Sequence, residues 1–270
     1  MSAFVDEFFG EPSQQALQRR ADAIWTLLKD DPRFCCHGRA VGLAWATAEN
    51  IDTQIALARL QGASSVEGLP MAEALARQHA LESAGLRTDL YIAWHGSDAA
   101  LTAAEQVIRS TPLPPDLEIV AVDHETSADD MAQLDALTRS CDVLLPMGAF
   151  MRGHRRPAVC LFARDSAGRI VGSTSAVAQF HPDHPKAGLA WWGMLATDQA
   201  RRGQGIALSL GARSMLEMRT RFGLERFFTG IREGNAASER LCGKIGLTAS
   251  DSLVMIAIAP ELFASGRVTK

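Results

Sequence analysis

The stretch ARRGQGIALSL at residues 200–210 constrains the fold of this chain more than any other. Two arginines lead into two glycines one residue apart, and an apolar pattern with helical spacing begins before the glycines end. Glycine permits unusual φ angles and lets another group approach the bare backbone, while the first N–H groups of a helix point outward without partners. The helix dipole adds about half a positive charge at that end. The sequence therefore predicts an anion site with a pyrophosphate as the natural ligand, and a solvent-exposed turn is the alternative.

Two common phosphate-binding motifs do not fit this stretch. A P-loop requires Gly-Lys-Ser/Thr, which does not follow, and a dinucleotide fingerprint requires a third glycine and a later acidic residue, which are missing. Arg201 and Arg202 lie where the chain leaves the preceding strand, and we expect both to strengthen the anion site.

The length of 270 residues favours two domains, because single cores stop growing at roughly 250 residues. Apolar residues make up 47% of the chain and charged residues 21%, which is typical of a globular protein. The segment TPLPPD at 111–116 has three prolines, which remove backbone donors and hold the chain extended. We place the boundary there, between a domain at 1–112 and a second at 117–260.

Charge and cysteine content exclude several classes of partner. The 27 basic and 31 acidic residues leave a net charge of -4, which gives no general attraction for nucleic acid or an anionic membrane. Five cysteines without a CxxC spacing favour a reducing compartment. The first residues lack the basic character of a signal peptide, and no apolar run reaches the 18 or so residues that span a bilayer. We expect a soluble, cytoplasmic protein.

The two halves differ in their predicted elements. Before the prolines, the apolar spacing predicts helices at 13–29, 71–83 and 98–110, with one strand, DLYIAWHG, at 89–96. Beyond them, strands dominate and are separated by turn residues. These strands are predicted at 117–122, 158–163, 169–180, 188–197, 226–231 and 252–259, with helices at 203–222 and after Asn235 as N-cap.

A possible internal repeat links the two halves. The order helix, Gly-Leu, strand, Gly, helix occurs at 85–110 and again at 223–246. A chance match and a true structural repeat both remain open. Counting back from Gly85 reaches LQGASS, which has no equivalent of the glycine loop, so we predict one coenzyme per chain, bound by the second half.

Two motifs in the second half resemble the GNAT superfamily of N-acetyltransferases. Arg202, Gly205 and Ala207 fit its R/Q-x-x-G-x-G/A signature. A second set fits the helix motif N-x-x-A-x-x-L-Y-x-K-x-G-F, with its members at Asn235, Ser238, Leu241, Lys244, Gly246 and Leu247. The resemblance covers about 117–260. It implies an α/β (α+β) fold with a mixed, mainly antiparallel central sheet flanked by helices, preceded here by a helix-rich domain that resembles a degenerate GNAT half.

The resemblance also implies a site for acetyl-CoA as cosubstrate, in a splay between two strands beside residues 188–197. The residues that would contact the coenzyme are Leu195, Ala196, Thr197, Arg202, Gly203, Gln204, Gly205, Ile206, Ala207, Asn235 and Ser238. The amides at 203–207 would bind the pyrophosphate, and those of Leu195 and Ala196 would face the thioester carbonyl, where such donors stabilise an oxyanion.

The resemblance leaves the general acid open. Its frequent acid is a tyrosine, whose position is occupied here by Cys242, and the single tyrosine, Tyr91, lies in the other half. Either Cys242 or Ser238 protonates the leaving thiolate, or solvent does and the enzyme acts mainly by holding two reactants together. Cys242 is also interpretable as a packed thiol.

The general base is equally open, because the strand at 188–197 has no glutamate. His181 is the candidate, with Asp183 and His184 beside it in FHPDHP, although the two prolines also indicate a plain turn. We expect no metal at this loop or at Cys35–Cys36–His37.

The acceptor side offers two further candidates. In MRGHRRP, Arg152 or Arg155 would pair with an acceptor carboxylate, or the run is a solvated face. Trp191 and Trp192 alternate across their strand, so one faces the core and the other the acceptor.

The expected function is transfer of an acetyl group from acetyl-CoA to a primary amine of a small molecule or peptide. The alternative is a non-catalytic acyl-CoA sensor or partner subunit. A homodimer is a further expectation, since closing strands of this fold often pair between chains.

Overall fold

The computed structural model describes residues 7–263, which form ten strands in a single sheet and eight α-helices. The strands are β1 (Phe34–Cys35), β2 (Gly42–Leu43), β3 (Ala63–Pro70), β4 (Arg87–Gly96), β5 (Leu117–Ala121), β6 (Ala158–Asp165), β7 (Ile170–Val177), β8 (Leu189–Thr197), β9 (Arg226–Ile231) and β10 (Thr248–Ile258). The helices are α1 (Pro12–Leu28), α2 (Ile51–Gln61), α3 (Ala74–Ser83), α4 (Asp98–Ser110), α5 (Ala128–Ser140), α6 (Gly148–Met151), α7 (Ile206–Phe222) and α8 (Ala236–Lys244).

The sheet is mixed and mainly antiparallel, as the resemblance implies. Its strand order is β1-β2-β3-β10-β4-β9-β8-β7-β6-β5. Only the β2–β3 and β8–β9 pairs are parallel. Helices α4 and α7 pack together on one face, over a core that includes Trp192, Met215 and Phe227. The other face carries the larger core, which includes Trp25, Phe150 and Phe162.

The predicted elements of the second half are confirmed within a few residues, and β9 begins and ends where the sequence places it. Helices α2 and α5 and strand β3 were not predicted. Helix α5 has a clear start signal, since the Ser127 hydroxyl accepts a hydrogen bond from the Asp130 amide at 3.1 Å. Strand β3, ASSVEGLP, mixes serine, glutamate, glycine and proline, which are poor strand formers.

The first half is not only helical, because it contributes four strands to the sheet. Strand β4 lies between β9 and β10, and β10 lies between β3 and β4. The predicted division at 112/117 therefore does not divide the sheet, and the two-domain organisation stays a prediction. The reason is long-range pairing, which the local pattern around the prolines does not carry.

The order β3–α3–β4–α4 corresponds to β8–α7–β9–α8. Strands β3 and β4 are both antiparallel to β10 and hence parallel to each other, as β8 and β9 are. In the first half, the interval between the two parallel strands is filled by β10. The turn before α3 is Pro70 followed by a short 3₁₀ helix at Met71–Glu73, without glycine. One coenzyme per chain stays a prediction.

Since the sheet depends on strands from both halves, we expect the fragment 117–263 not to fold alone. Without β3 and β4, β9 loses one of its two neighbours and β10 loses both, so their edges are open to aggregation. Thermal denaturation followed by circular dichroism should show no cooperative transition for the fragment. Coexpression with fragment 1–116 should restore the transition, and an isolated 117–263 that melts like the full chain would contradict this architecture.

Candidate active site

A cavity of about 690 Å³ runs along the sheet from the glycine loop to the first half of the chain. One end is formed by β8, the start of α7, β9 and α8. The other end is formed by β3, β10, β4 and the residues that precede β2. The cavity therefore joins the predicted coenzyme residues to residues of the first half that the sequence did not connect with them.

Strands β8 and β9 diverge at the first end of the cavity. They pair only from Leu189 to Trp191, whereas the opposite edge of β9 pairs with β4 from Phe227 to Ile231. Beyond that point β8 has a bulge, where Met194 takes a positive φ of 59° and its carbonyl accepts a hydrogen bond from the Ser173 hydroxyl at 2.9 Å. An edge of β8 that includes Leu195, Ala196 and Thr197 therefore lines the cavity without a strand beside it.

The glycine loop lies at the mouth of this splay. Gly203 and Gly205 have φ angles of 79° and 77°, and Gly205 is the N-cap of α7. No side chain of residues 7–263 caps this helix, so its first amides stay available to a ligand. Gly203, Gly205, Ile206 and Ala207 all line the cavity. The predicted anion site therefore has the required geometry.

The two arginines before the loop have different roles. Arg201 donates two hydrogen bonds to Asp116, at 2.9 and 3.1 Å, and a third to Gln204. Its charge is paired, and Gln204 does not line the cavity. Arg202 lines the cavity and donates only to the Thr197 carbonyl, at 3.5 Å, and weakly to the Cys141 thiol. Arg202 is thus the cation that the loop offers to a ligand.

Helix α8 closes the same end of the cavity. Asn235 caps it as predicted, and its side-chain oxygen accepts a hydrogen bond from the Ser238 amide at 3.3 Å. Ser238 and Cys242 both line the cavity. Burial raises the pKa of Cys242 to about 12, which makes this thiol a weak acid. The prediction that Cys242 protonates the leaving group gains no support from its surroundings.

The other predicted polar candidates lie elsewhere. His181 does not line the cavity; its Nδ1 accepts a hydrogen bond from the Asp183 amide at 3.1 Å within the turn. Arg152 forms an ion pair with Glu7, and Arg155 with Asp22. None of these three groups lies at the end of the cavity formed by β3, β10 and β4, which we call the acceptor end. The sequence shows the charge of each side chain but not the partner with which it pairs in the fold.

Glu67 is the carboxylate at the acceptor end of the cavity. Ala63, Ser65 and Glu67 alternate along β3 and share the face that lines the cavity. Glu67 is 4% exposed; one carboxylate oxygen accepts a hydrogen bond from Ser65 at 3.3 Å, and the other has no partner among the described residues. Burial raises the pKa of Glu67 to about 7, although Lys186, Ser65 and Gln179 oppose that effect. Glu67 is thus poised to exchange a proton near neutral pH.

A row of flat side chains forms the wall beside Glu67. The side chain of Trp191 faces the cavity, and the side chain of Trp192 packs into the core beneath α7. The His37 ring stacks on Trp191 with centroids 4.3 Å apart, and His37 Nδ1 lies 3.0 Å from the Gln179 side-chain oxygen. Burial lowers the pKa of His37 to about 3, so this imidazole is neutral. It serves as a wall and a hydrogen-bonding group rather than as a base.

Tyr91 reaches the cavity although it belongs to the first half. Its hydroxyl donates a hydrogen bond to Asp89 at 2.8 Å and lies 3.0 Å from Arg232. Burial, together with the Asp89 charge, raises the pKa of Tyr91 above its usual value. A phenol held this way is a poor proton donor for a leaving thiolate.

Sequence reasoning missed Glu67, His37 and the cavity role of Tyr91. No local pattern indicates Glu67, because Ala63, Ser65 and Glu67 on one face of β3 do not alternate in polarity with Ser64 and Val66 on the other.

The fold is a mixed α/β sheet whose two diverging strands meet the uncapped start of a helix at one cavity, and comparison with known proteins gives the family of this part of the chain. Residues 128–247 match the family model described as Acetyltransferase (GNAT) family, and this part of the chain is a GNAT acetyltransferase domain. The family implies the use of acetyl-CoA. No curated protein sequence matches the chain.

Solved structures with the same fold extend over more of the chain. A tandem GNAT protein from the clavulanic acid biosynthesis pathway is 16% identical, with a TM-score of 0.52. The match covers 75% of this chain and 66% of that protein. A GCN5-related N-acetyltransferase from Kribbella flavida is 16% identical over 92% of this chain and 98% of its own, with a TM-score of 0.51. A Drosophila protein is 13% identical over 92% and 89%, with a TM-score of 0.52. At these identities the likeness is one of fold.

Among residues 7–263, no three His, Cys, Asp or Glu side chains are grouped as metal ligands. Helices α1 and α7, with 17 residues each, are the longest in that range, and neither they nor the shorter helices have the apolar length to cross a bilayer.

We expect Gly205→Val to abolish coenzyme binding. A side chain there would be strained by the positive φ, would lie 2.6 Å from Thr111 Cγ2, and would cover the amides at the start of α7. Gly168→Val is the matched control, because Gly168 has a φ of 82° in the β6–β7 turn, with nothing within 4 Å of the added Cβ. Calorimetric titration with acetyl-CoA should show binding for the control and none for Gly205→Val; equal affinity in both would place the coenzyme elsewhere.

Proposed function

We propose that the chain is an N-acetyltransferase that transfers the acetyl group of acetyl-CoA to a primary amine by direct attack. The observation that carries the proposal is the position of Glu67. A buried carboxylate with a pKa near 7 lines the same cavity as the uncapped start of α7 and the free edge of β8. The proposed coenzyme site and a proton acceptor thus share one cavity.

The coenzyme is held mainly by backbone groups. Its pyrophosphate binds the amides at 203–207 with Arg202 beside them, and its pantetheine arm lies along the free edge of β8. The amides of Leu195 and Ala196 then face the thioester oxygen. An amide aimed at a developing oxyanion contributes about 3 kcal/mol to transition-state stabilisation.

The acceptor enters from the first half of the chain as an ammonium ion. Glu67 takes one proton from it, and the neutral amine attacks the thioester carbon to form the new C–N bond. The C–S bond then breaks, the nitrogen releases its second proton to solvent, and the thiolate takes a proton from solvent. Because burial weakens both Cys242 and Tyr91 as acids, solvent supplies the proton to the thiolate.

A screen of primary amines with release of free CoA thiol as the readout tests this function. We expect turnover with at least one amine class, and Glu67→Gln should lower kcat/KM about 10²- to 10³-fold, which is the usual scale for a general base. Its affinity for acetyl-CoA should not change, because Glu67 lies at the other end of the cavity. Tight coenzyme binding without turnover on any amine would favour the alternative, a non-catalytic acyl-CoA sensor or partner subunit.

The pH profile separates a catalytic role of Glu67 from a structural one. As a base, Glu67 acts when ionised, so kcat/KM of the wild type should rise with pH through about 7, and Glu67→Gln should lose that rise. Stability changes in the opposite direction. Because the folded state raises this pKa, folding is favoured by the protonated form and weakens as pH rises from about 4.5 to 7. Glu67→Gln should therefore melt at least as high as the wild type at pH 8, and a lower melting temperature would indicate a structural role.

A further inference from the structure

Arg39 is a buried cation without a partner at the acceptor end of the cavity. Its side chain lines the cavity and the residue is 7% exposed. Its Nε is fully buried and makes no hydrogen bond, and no carboxylate of residues 7–263 pairs with its guanidinium. Its Cζ lies 5.0 Å from the centroid of the Trp191 ring, and its charge also interacts with Tyr91 and His37.

The rest of the molecule shows that this arrangement is unusual for the chain. Arg77 is equally buried, at 3% exposure, but its guanidinium donates to Gln54, to the Thr47 carbonyl and to Asn50 at 2.8–2.9 Å. Arg232, also beside the cavity, is paired with Asp89. A buried charge without such partners costs stability, because its hydration is lost and not replaced.

Arg39 is held in place by the backbone around it. Gln61 fixes the backbone at Val41. The Gln61 side-chain oxygen accepts a hydrogen bond from the Val41 N–H at 3.0 Å, and its side-chain nitrogen donates one to the Val41 carbonyl at 2.6 Å. The Ser64 hydroxyl donates to the same carbonyl at 3.0 Å. On the other side, the Gly38 carbonyl accepts from the Met147 amide at 2.7 Å. The fold thus holds the guanidinium beside the cavity rather than letting it turn to solvent.

Arg39 and Glu67 belong to one cluster of contacts. Arg39 and His37 both contact Trp191, His37 is hydrogen-bonded to Gln179, and Gln179 lies beside Glu67. The acceptor end therefore combines one proton acceptor, Glu67, with one unused donor, the Nε of Arg39.

We propose that the acceptor is a small amine that also carries a carboxylate, which Arg39 binds while the amine lies at Glu67. The inference rests on the proposed function. A carboxylate is the planar anion that a guanidinium binds best, through paired hydrogen bonds. The bound carboxylate pairs with Arg39. An acceptor without a carboxylate leaves the buried guanidinium unpaired, so the site selects acceptors that carry this group.

The test compares free amino acids with their carboxamides, which keep the amine and the shape but lose the negative charge. The panel contains α-amino acids, β-alanine, 4-aminobutyrate and lysine, each as acid and as amide. Acetyl transfer is followed by thiol release, and binding to the CoA-loaded protein by calorimetry. We expect at least one acid to be bound and acetylated 100-fold better than its amide, and the spacing in the preferred member gives the distance between the two subsites.

The Arg39→Gln variant should abolish that preference by lowering kcat/KM for the acid at least 100-fold and leaving the amide within a few-fold. Arg39→Lys should keep part of the preference, because it keeps the charge but not the planar pair of donors. Arg156→Gln is the matched control: Arg156 also lies over a tryptophan, Trp25, with Cζ 5.1 Å from the ring, but outside this cavity. It should retain the preference.

Stability gives a second readout that does not depend on turnover. Arg39→Gln should melt no lower than the wild type, since it removes a charge that nothing compensates, whereas Arg77→Gln should melt several degrees lower.

The outcomes separate this inference from the proposed function. Amides used as well as acids, or an acid preference that survives in Arg39→Gln, would overturn the carboxylate subsite and leave the transferase intact. Coenzyme binding with Arg39-dependent binding of acids but no transfer would support the subsite and overturn the proposed function. Absence of any acid preference in either readout overturns the subsite.

Discussion

The interleaving of β10 and β4 is the constraint on which the rest of this structure depends. Strand β10, from the end of the chain, pairs with β3 on one side and β4 on the other, and β4 in turn pairs with β9. The register places Ser65 opposite Ile256 and Tyr91 opposite Val254, all four on the face that lines the cavity. Strands β3 and β4 of the first half thereby line one end of the cavity, and β8, β9, α7 and α8 of the second half line the other.

Burial of the Glu67 carboxylate and the Arg39 guanidinium costs folding free energy, because each group loses its hydration. Some buried ionisable groups among residues 7–263 are fully hydrogen-bonded, as Arg77 is by its three acceptors and Asp165 by Arg169 and two backbone amides. Glu67 and Arg39 are not, and they meet the same space. A fold selected for stability alone would replace them with apolar residues at little cost. Their presence in one cavity indicates that their unmet hydrogen-bonding capacity belongs to a ligand.

The sequence predicts the secondary structure around the glycine loop and helix α8 well because the signals there are local. The glycine loop, the start of α7 and the Asn235 cap each depend on residues within a few positions of one another, and each is found where the pattern indicates. The acceptor end depends on pairing across more than 180 residues, as between Val66 and Met255, and no local pattern carries that information. For the same reason Arg152 and Arg155 were overvalued: their carboxylate partners, Glu7 and Asp22, are 145 and 133 residues away.

The two parallel strand pairs, β8 with β9 and β3 with β4, differ in whether the interval between the strands is open. Between β8 and β9, three residue pairs hold the strands together and the remainder is open; between β3 and β4, the whole interval is closed by β10. A strand satisfies the same backbone donors and acceptors that an extended pantetheine arm would otherwise meet. The interval between β3 and β4 therefore leaves no backbone edge for a coenzyme. Glu67 lies on the β3 side of that interval, and its side chain lines the same cavity as the free edge of β8.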